Sequence, residues 1–188
     1  MSIVVLAAVA AQFVGSPPVL STTPMGGSRA LTEYLTLTVS PTGQIVGCEA
    51  RLSTGAPVDD RENCGRLRRA AMQPARDDAG RPVFGLVTVM QQWGSDRSGA
   101  APADLYLKLA RLPGGVNAQA TSALTVVVGF DGKPESCTVA RTSGSDALDR
   151  IACRGVSENG LTAAASDSGR LSGRYVRPLL VGFVQDTH

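Results

Sequence analysis

Apolar and polar positions alternate along residues 35–39, where Leu35, Leu37 and Val39 are separated by Thr36 and Thr38. That period of two is the signature of a strand with one buried face. Ser40-Pro41-Thr42-Gly43 follows as a turn, since proline presets φ and glycine accepts positive φ. Residues 45–52 resume the extended pattern, so the two stretches predict a hairpin. Ser53-Thr54-Gly55-Ala56-Pro57 interrupts it, and a helix is expected next. Asp59-Asp60 suit the free N–H groups of its first turn. Cys64, Leu67 and Ala71 fall on one face, and Arg66, Arg68 and Arg69 suit the dipole at its end. After Gly80, residues 83–90 read as a third strand.

The same grammar returns further on. Residues 124–128 form a strand, Phe130-Asp131-Gly132-Lys133 a turn with a strong Asp-Gly hairpin signal, and residues 136–141 a second strand. Leu148, Ala152 and Val156 make a helical stripe with Asp146 or Asp149 near its start. Gly155 and Gly160 weaken that helix, so it is expected to be the shorter of the two. Residues 175–184 give the third strand, in which Pro178 predicts an edge position or a bulge. The polar, glycine-rich residues 94–99 read as the seam, and residues 104–111 as a short helix opening the second half.

Sliding the chain by 89 positions explains the recurrence. Leu35 falls on Leu124, Thr36 on Thr125, Val39 on Val128, Gly43 on Gly132 and Gly55 on Gly144. Asp60-Arg61 falls on Asp149-Arg150, and Gly80-Arg81 on Gly169-Arg170, with no gap. A duplicated unit follows. The expected fold class is α+β: two tandem ββαβ units, each a small antiparallel sheet packed on one helix. They would occupy residues 21–95 and 96–188, after a signal-like apolar N-terminus and linker at 1–20.

Cys48 and Cys64 lie 16 positions apart, as do Cys137 and Cys153. Each pair joins a second strand to the following helix, which suits a disulfide. Zinc is the alternative, but its cysteines usually sit two to four residues apart. Each bridge would stabilise by about 3 kcal/mol in the chain-entropy model. Persistent bridges imply an oxidising compartment.

Composition narrows the function classes. Of 188 residues 43% are hydrophobic but only 4% aromatic, so the core rests on aliphatic side chains and the staples matter. A net charge of +2 gives no reason to expect a nucleic-acid partner. The one histidine, His188, ends the chain. Ser53, Ser143 and Ser145 therefore lack a histidine base. Asp59-Asp60 and Asp77-Asp78 are paired carboxylates with ordinary helix-end or turn explanations. No phosphate-binding loop or metal-ligand cluster is present, so no cofactor, metal or catalytic residue is expected. Arg66, Arg68 and Arg69 could meet acidic lipid, but a solvated helix face explains them. The run Ile3-Val4-Val5-Leu6-Ala7-Ala8-Val9-Ala10-Ala11 is too short to span a membrane. It resembles the end of a secretory signal with Gln12 as the mature start; a buried strand is the other reading.

Val39-Ser40-Pro41-Thr42-Gly43-Gln44-Ile45-Val46-Gly47-Cys48 resembles the hairpin of the TonB C-terminal domain found in energy transducers. Ser53-Thr54-Gly55, Asp60 with Cys64, and residues 74–83 are similar to that family's later motifs. Asp131-Gly132-Lys133, Thr142-Ser143-Gly144 and residues 148–153 are similar to the same motifs in the second half. The resemblance covers about residues 35–93 and 120–184. It implies a periplasmic, non-enzymatic domain that adds a peptide strand of an outer-membrane or other envelope protein to its sheet edge. The matching edge is residues 83–93, with Val87, Val89 and Trp93 as the partner-binding candidates; the other reading is an ordinary core strand with Trp93 packing at its end. The sequence departs from the family in carrying no membrane helix and no proline-rich spacer beyond Ser16-Pro17-Pro18. The alternatives are an energy transducer with a missing anchor, and a secreted, disulfide-stabilised binding or inhibitor module.

Overall fold

Turn chemistry closes both hairpins where expected. Gly43 and Gly132 have φ of +82° and +80°. The Ser40 hydroxyl accepts the Gln44 N–H at 3.1 Å, and the Asp131 carboxylate accepts the Lys133 N–H at 3.0 Å. A Cβ on Gly43 would strike the Met72 carbonyl, so this turn needs glycine for space as well as conformation.

The computed structural model describes residues 10–14, 32–52, 57–92, 103–117, 119–159, 165–166, 169–171 and 173–186. In chain order the elements are β1 (Gln12–Phe13), β2 (Thr32–Val39), β3 (Ile45–Leu52), α1 (Pro57–Leu67), β4 (Met72–Gln73), β5 (Ala75–Arg76) and β6 (Pro82–Gln92). Then come β7 (Leu105–Leu109), β8 (Thr121–Val128), β9 (Pro134–Arg141), α2 (Asp146–Asn159), β10 (Ala165–Ser166), β11 (Gly169–Arg170) and β12 (Tyr175–Gln185). The chain is mixed α+β, with most elements being strands.

The small separate sheets expected from the sequence are instead one eight-stranded sheet. Its path is β3-β2-β6-β12-β8-β9, with β5 beside β6 and β7 beside β12. The neighbours along that path are antiparallel except β6 and β12, which run parallel and pair only at Tyr175 with Phe84 and Val176 with Gly85. The third strands of the two halves thus meet at the middle of the sheet.

The helices lie on opposite faces. Leu35, Leu37 and Val39 pack with Cys64 and Leu67 of α1, and Val127 and Val176 join that cluster. Leu124, Val126, Val128 and Tyr175 pack with Leu148, Ala152 and Val156 of α2. Val126 and Val127 are consecutive in one strand and point to opposite faces, so the two clusters do too. Each half carries its helix on one face and lends a few side chains to the core on the other.

Both cysteine pairs form disulfides, Cys48–Cys64 and Cys137–Cys153, each with Cα atoms 5.7 Å apart. Several local expectations change. Residues 104–111 are not a helix: β7 is a strand, with Leu105, Leu107 and Leu109 half-buried and Tyr106 and Lys108 exposed. Five parallel pairings to β12 outweigh helix propensity there. α2 is longer than α1, 14 residues against 11. A Cβ at Gly155 would lie 2.9 Å from the Leu107 methyls, so this glycine lets the helix sit close on β7 rather than ending it. Ala71 lies beyond α1, exposed in extended chain, because the Arg69 and Ala70 amides tighten onto the Arg66 and Leu67 carbonyls at the helix end. The proposed seam at 94–99 falls outside the described residues, as does the apolar run up to Val9. Of that run, Ala11 is buried in the first cluster, and Gln12–Phe13 pairs with β4.

Candidate functional site

Pro178 explains where the sheet opens. The Leu180 N–H donates to the Asp104 carboxylate and the Leu180 carbonyl accepts the Asp104 N–H, both at 2.7 Å. Those groups therefore point away from β8. Two residues earlier, Pro178 points its backbone the same way and has no N–H to offer. It pairs opposite Thr125 of β8 on the side that needs no donor from it. β12 is central in the sheet, yet among the described residues it is locally an edge at Pro178, one of the two readings, edge or bulge, that the sequence offered.

Here β6 and β12 part. Past Gly85, β6 pairs only with β2 among the described residues. From Val181 on, β12 takes β7 as its partner on that side. The gap is a slot of about 580 Å³. Its walls include Leu86, Val87, Thr88 and Met90 of β6, and Pro178, Leu179 and Leu180 of β12. Consecutive residues on each wall line it, so the slot passes between strands through the sheet. Ala10 and Ala11 close part of it on the α1 side, and Tyr34 lines it from β2. Burial pushes the Tyr34 phenol above its usual pKa, so it stays neutral. Asp104 is the one charged side chain lining the slot among the described residues.

Of the three residues expected to meet a partner, Val87 lines this slot and also packs against the α1-side core. Val89 packs against the α1-side core, and Trp93 lies outside the described residues. The β12 wall and Asp104 were missed, although a proline inside an apolar strand marks the place. Ser53 falls outside the described residues. Ser143 and Ser145 belong to the loop that starts α2, where the Asp149 carboxylate accepts the Ser122 and Thr142 hydroxyls at 2.6 and 2.5 Å and the Ser143 N–H at 2.9 Å. Burial works against that carboxylate, but these hydrogen bonds hold its pKa at about 2.

A second polar cluster ties the halves together at the hairpin end of the sheet. Arg174 donates to Asp77 at 3.1 Å and to Glu135 through Nε at 2.6 Å and also through Nη2. Asp77 also accepts the Ala79 and Arg81 amides and the Arg81 side chain. Burial raises the Asp77 carboxyl, and the bonds from Arg81 and Ala79 more than offset this, leaving it below the usual range. Asp77 thus serves a turn and a clamp.

Among the described residues there is no group of three potential metal ligands and no helix long and apolar enough to cross a membrane. Comparison with family models, curated proteins and solved structures finds no match to the chain.

Proposed function

We propose that the chain is a non-enzymatic periplasmic binding module, built from two tandem ββαβ units similar to the TonB C-terminal domain. It takes an extended segment of an outer-membrane or other envelope protein onto the open edge of β6. The observation that carries this reading is that, among the described residues, β6 beyond Gly85 has a strand partner on one side only, and its other side borders an apolar slot. A strand edge of that kind is a template for another chain. The two disulfides agree with an oxidising, extracytoplasmic location.

The test is capture of solubilised outer-membrane proteins by the immobilised chain and by two proline variants, Val87→Pro and Thr88→Pro. Consecutive N–H groups point to opposite edges of a strand, so one variant removes a slot-side donor and the other breaks the β2 ladder. The variant that keeps its circular dichroism spectrum and melting transition is the informative one, and it should lose capture. Capture of nothing by the wild-type chain, or undiminished capture by that variant, sinks the proposal.

A further inference from the structure

We infer that the Cys48–Cys64 bridge is a redox latch on α1: a dithiol that reduces it releases this helix from the sheet, whereas α2 stays docked when its own bridge is reduced. The inference stands on the fold and does not need the strand-addition reading. The two bridges share their sequence spacing and a Cα separation of 5.7 Å, but their surroundings differ. Cys64 is 8% exposed and is itself a core side chain. With Leu67 it is what α1 contributes, among the described residues, to the cluster around Leu35, Leu37 and Val39. Cys153 is half-buried and only borders the other core, where Leu148, Ala152 and Val156 are fully buried and Ile151 packs beside them.

The helices differ in the same sense. By sequence the aliphatic residues of α1 are Val58 and Leu67, against Ala147, Leu148, Ile151, Ala152 and Val156 in α2. α1 has 11 residues, Asp59, Asp60, Asn63 and Gly65 among them, too short and too poor in helix formers to persist alone in water. Asp60 and the buried Asn63 have partners of their own. Such bonds position the helix, but each contributes less, net, than closing a loop of this length. α2 is tied at its start through Asp149 to Ser122, Thr142 and Ser143, and Gly155 lets it sit close on Leu107. Its docking therefore survives loss of the bridge.

The exchange begins at Cys48, the less buried partner, on the strand that ends the sheet path. A thiolate of the dithiol attacks its sulfur, a mixed disulfide forms, and the Cys64 sulfur leaves as a thiolate and takes up a proton. The second thiol then closes the dithiol's own disulfide and releases Cys48 as a thiol. Two electrons and two protons pass from the dithiol to the bridge. Once α1 leaves, Leu35, Leu37 and Val39 lose the packing of Cys64 and Leu67, and Val87 and Val89 of β6 lose it with them. The reduced chain presents an apolar sheet face that the oxidised chain hides.

The experiment treats the full chain with graded dithiothreitol. Alkylation and peptide mapping read each bridge, and hydrogen exchange by mass spectrometry reads residues 57–67 and 146–159. On full reduction, 57–67 should exchange within about tenfold of unstructured chain, while 146–159 keeps at least about a hundredfold protection. Reoxidation should restore the protection of α1. Cys48→Ala leaves the Cys64 side chain in the core and should free α1 without reductant; Cys137→Ala should leave both helices protected. Persistent protection of 57–67 after reduction overturns the latch, as does an equal response of the two helices. Loss of protection throughout the sheet, or a Cys48–Cys64 bridge that dithiothreitol does not reduce, overturns it too.

Discussion

Asp149 is 6% exposed and carries three hydrogen bonds from Ser122, Thr142 and Ser143. Its pKa is depressed from 3.8 to about 2. A depressed folded-state pKa favours folding above the unfolded value and loses that effect as pH falls through the folded one. The contribution is about 2 kcal/mol, present above pH ~4 and lost between pH ~4 and pH ~2. Urea unfolding of the wild type should show this decline, and Asp149→Asn should flatten much of it. The flattening is incomplete because Asp77 is shifted in the same direction. Asp149 was visible in the sequence as the repeat partner of Asp60 and as a residue near a helix start. Its bond to Ser122, 27 positions away, was not, because no local pattern encodes which strand end a helix start will meet.

At the scale of elements, the hairpins were the most legible part, since proline, glycine and alternation act within a few residues. Gly43 tests that logic. An alanine there must hold φ near +82° and displace the Met72 carbonyl, which is backbone and yields little. Gly43→Ala should cost about 2 kcal/mol in denaturant unfolding, more than the usual glycine-to-alanine penalty at positive φ alone. β7 shows the opposite case. Residues 104–111 read as a short helix, although Leu105-Tyr106-Leu107-Lys108-Leu109 alternates as a strand does; the deciding factor is an available edge on β12. Pro178 was legible as a local edge, and only the sheet order reveals that this edge sits at the centre.

For the whole molecule, the offset of 89 residues announced a repeated unit but carried no statement of how the halves meet. One trace was there: Val126-Val127-Val128 is an unbroken apolar run, as expected of a strand covered on both faces. The direct β6–β12 pairing covers only two residue pairs, so side chains must help hold the halves in register. Arg174 is one polar contributor, bridging Asp77 and Glu135. Truncating it leaves the buried Asp77 with the Arg81 side chain and the Ala79 and Arg81 amides. Arg174→Ala should destabilise by about 1–3 kcal/mol. Hydrogen exchange should rise first at Phe84, Gly85 and Val176, while the α1 and α2 cores stay protected. Uniform loosening across the sheet would argue against a clamp.

The parallel meeting of β6 and β12, with helices on opposite faces, is the arrangement a half-turn about an axis along the strands would produce. Two identical chains related by that rotation must present the same residue on both sides of any opening along the axis. A single chain is free of that constraint. At the 89-residue offset, Val89 of one half answers to Pro178 of the other. The asymmetry between the two walls of the slot is thus a difference that a symmetric pair of chains could not have evolved, and that a fused chain could.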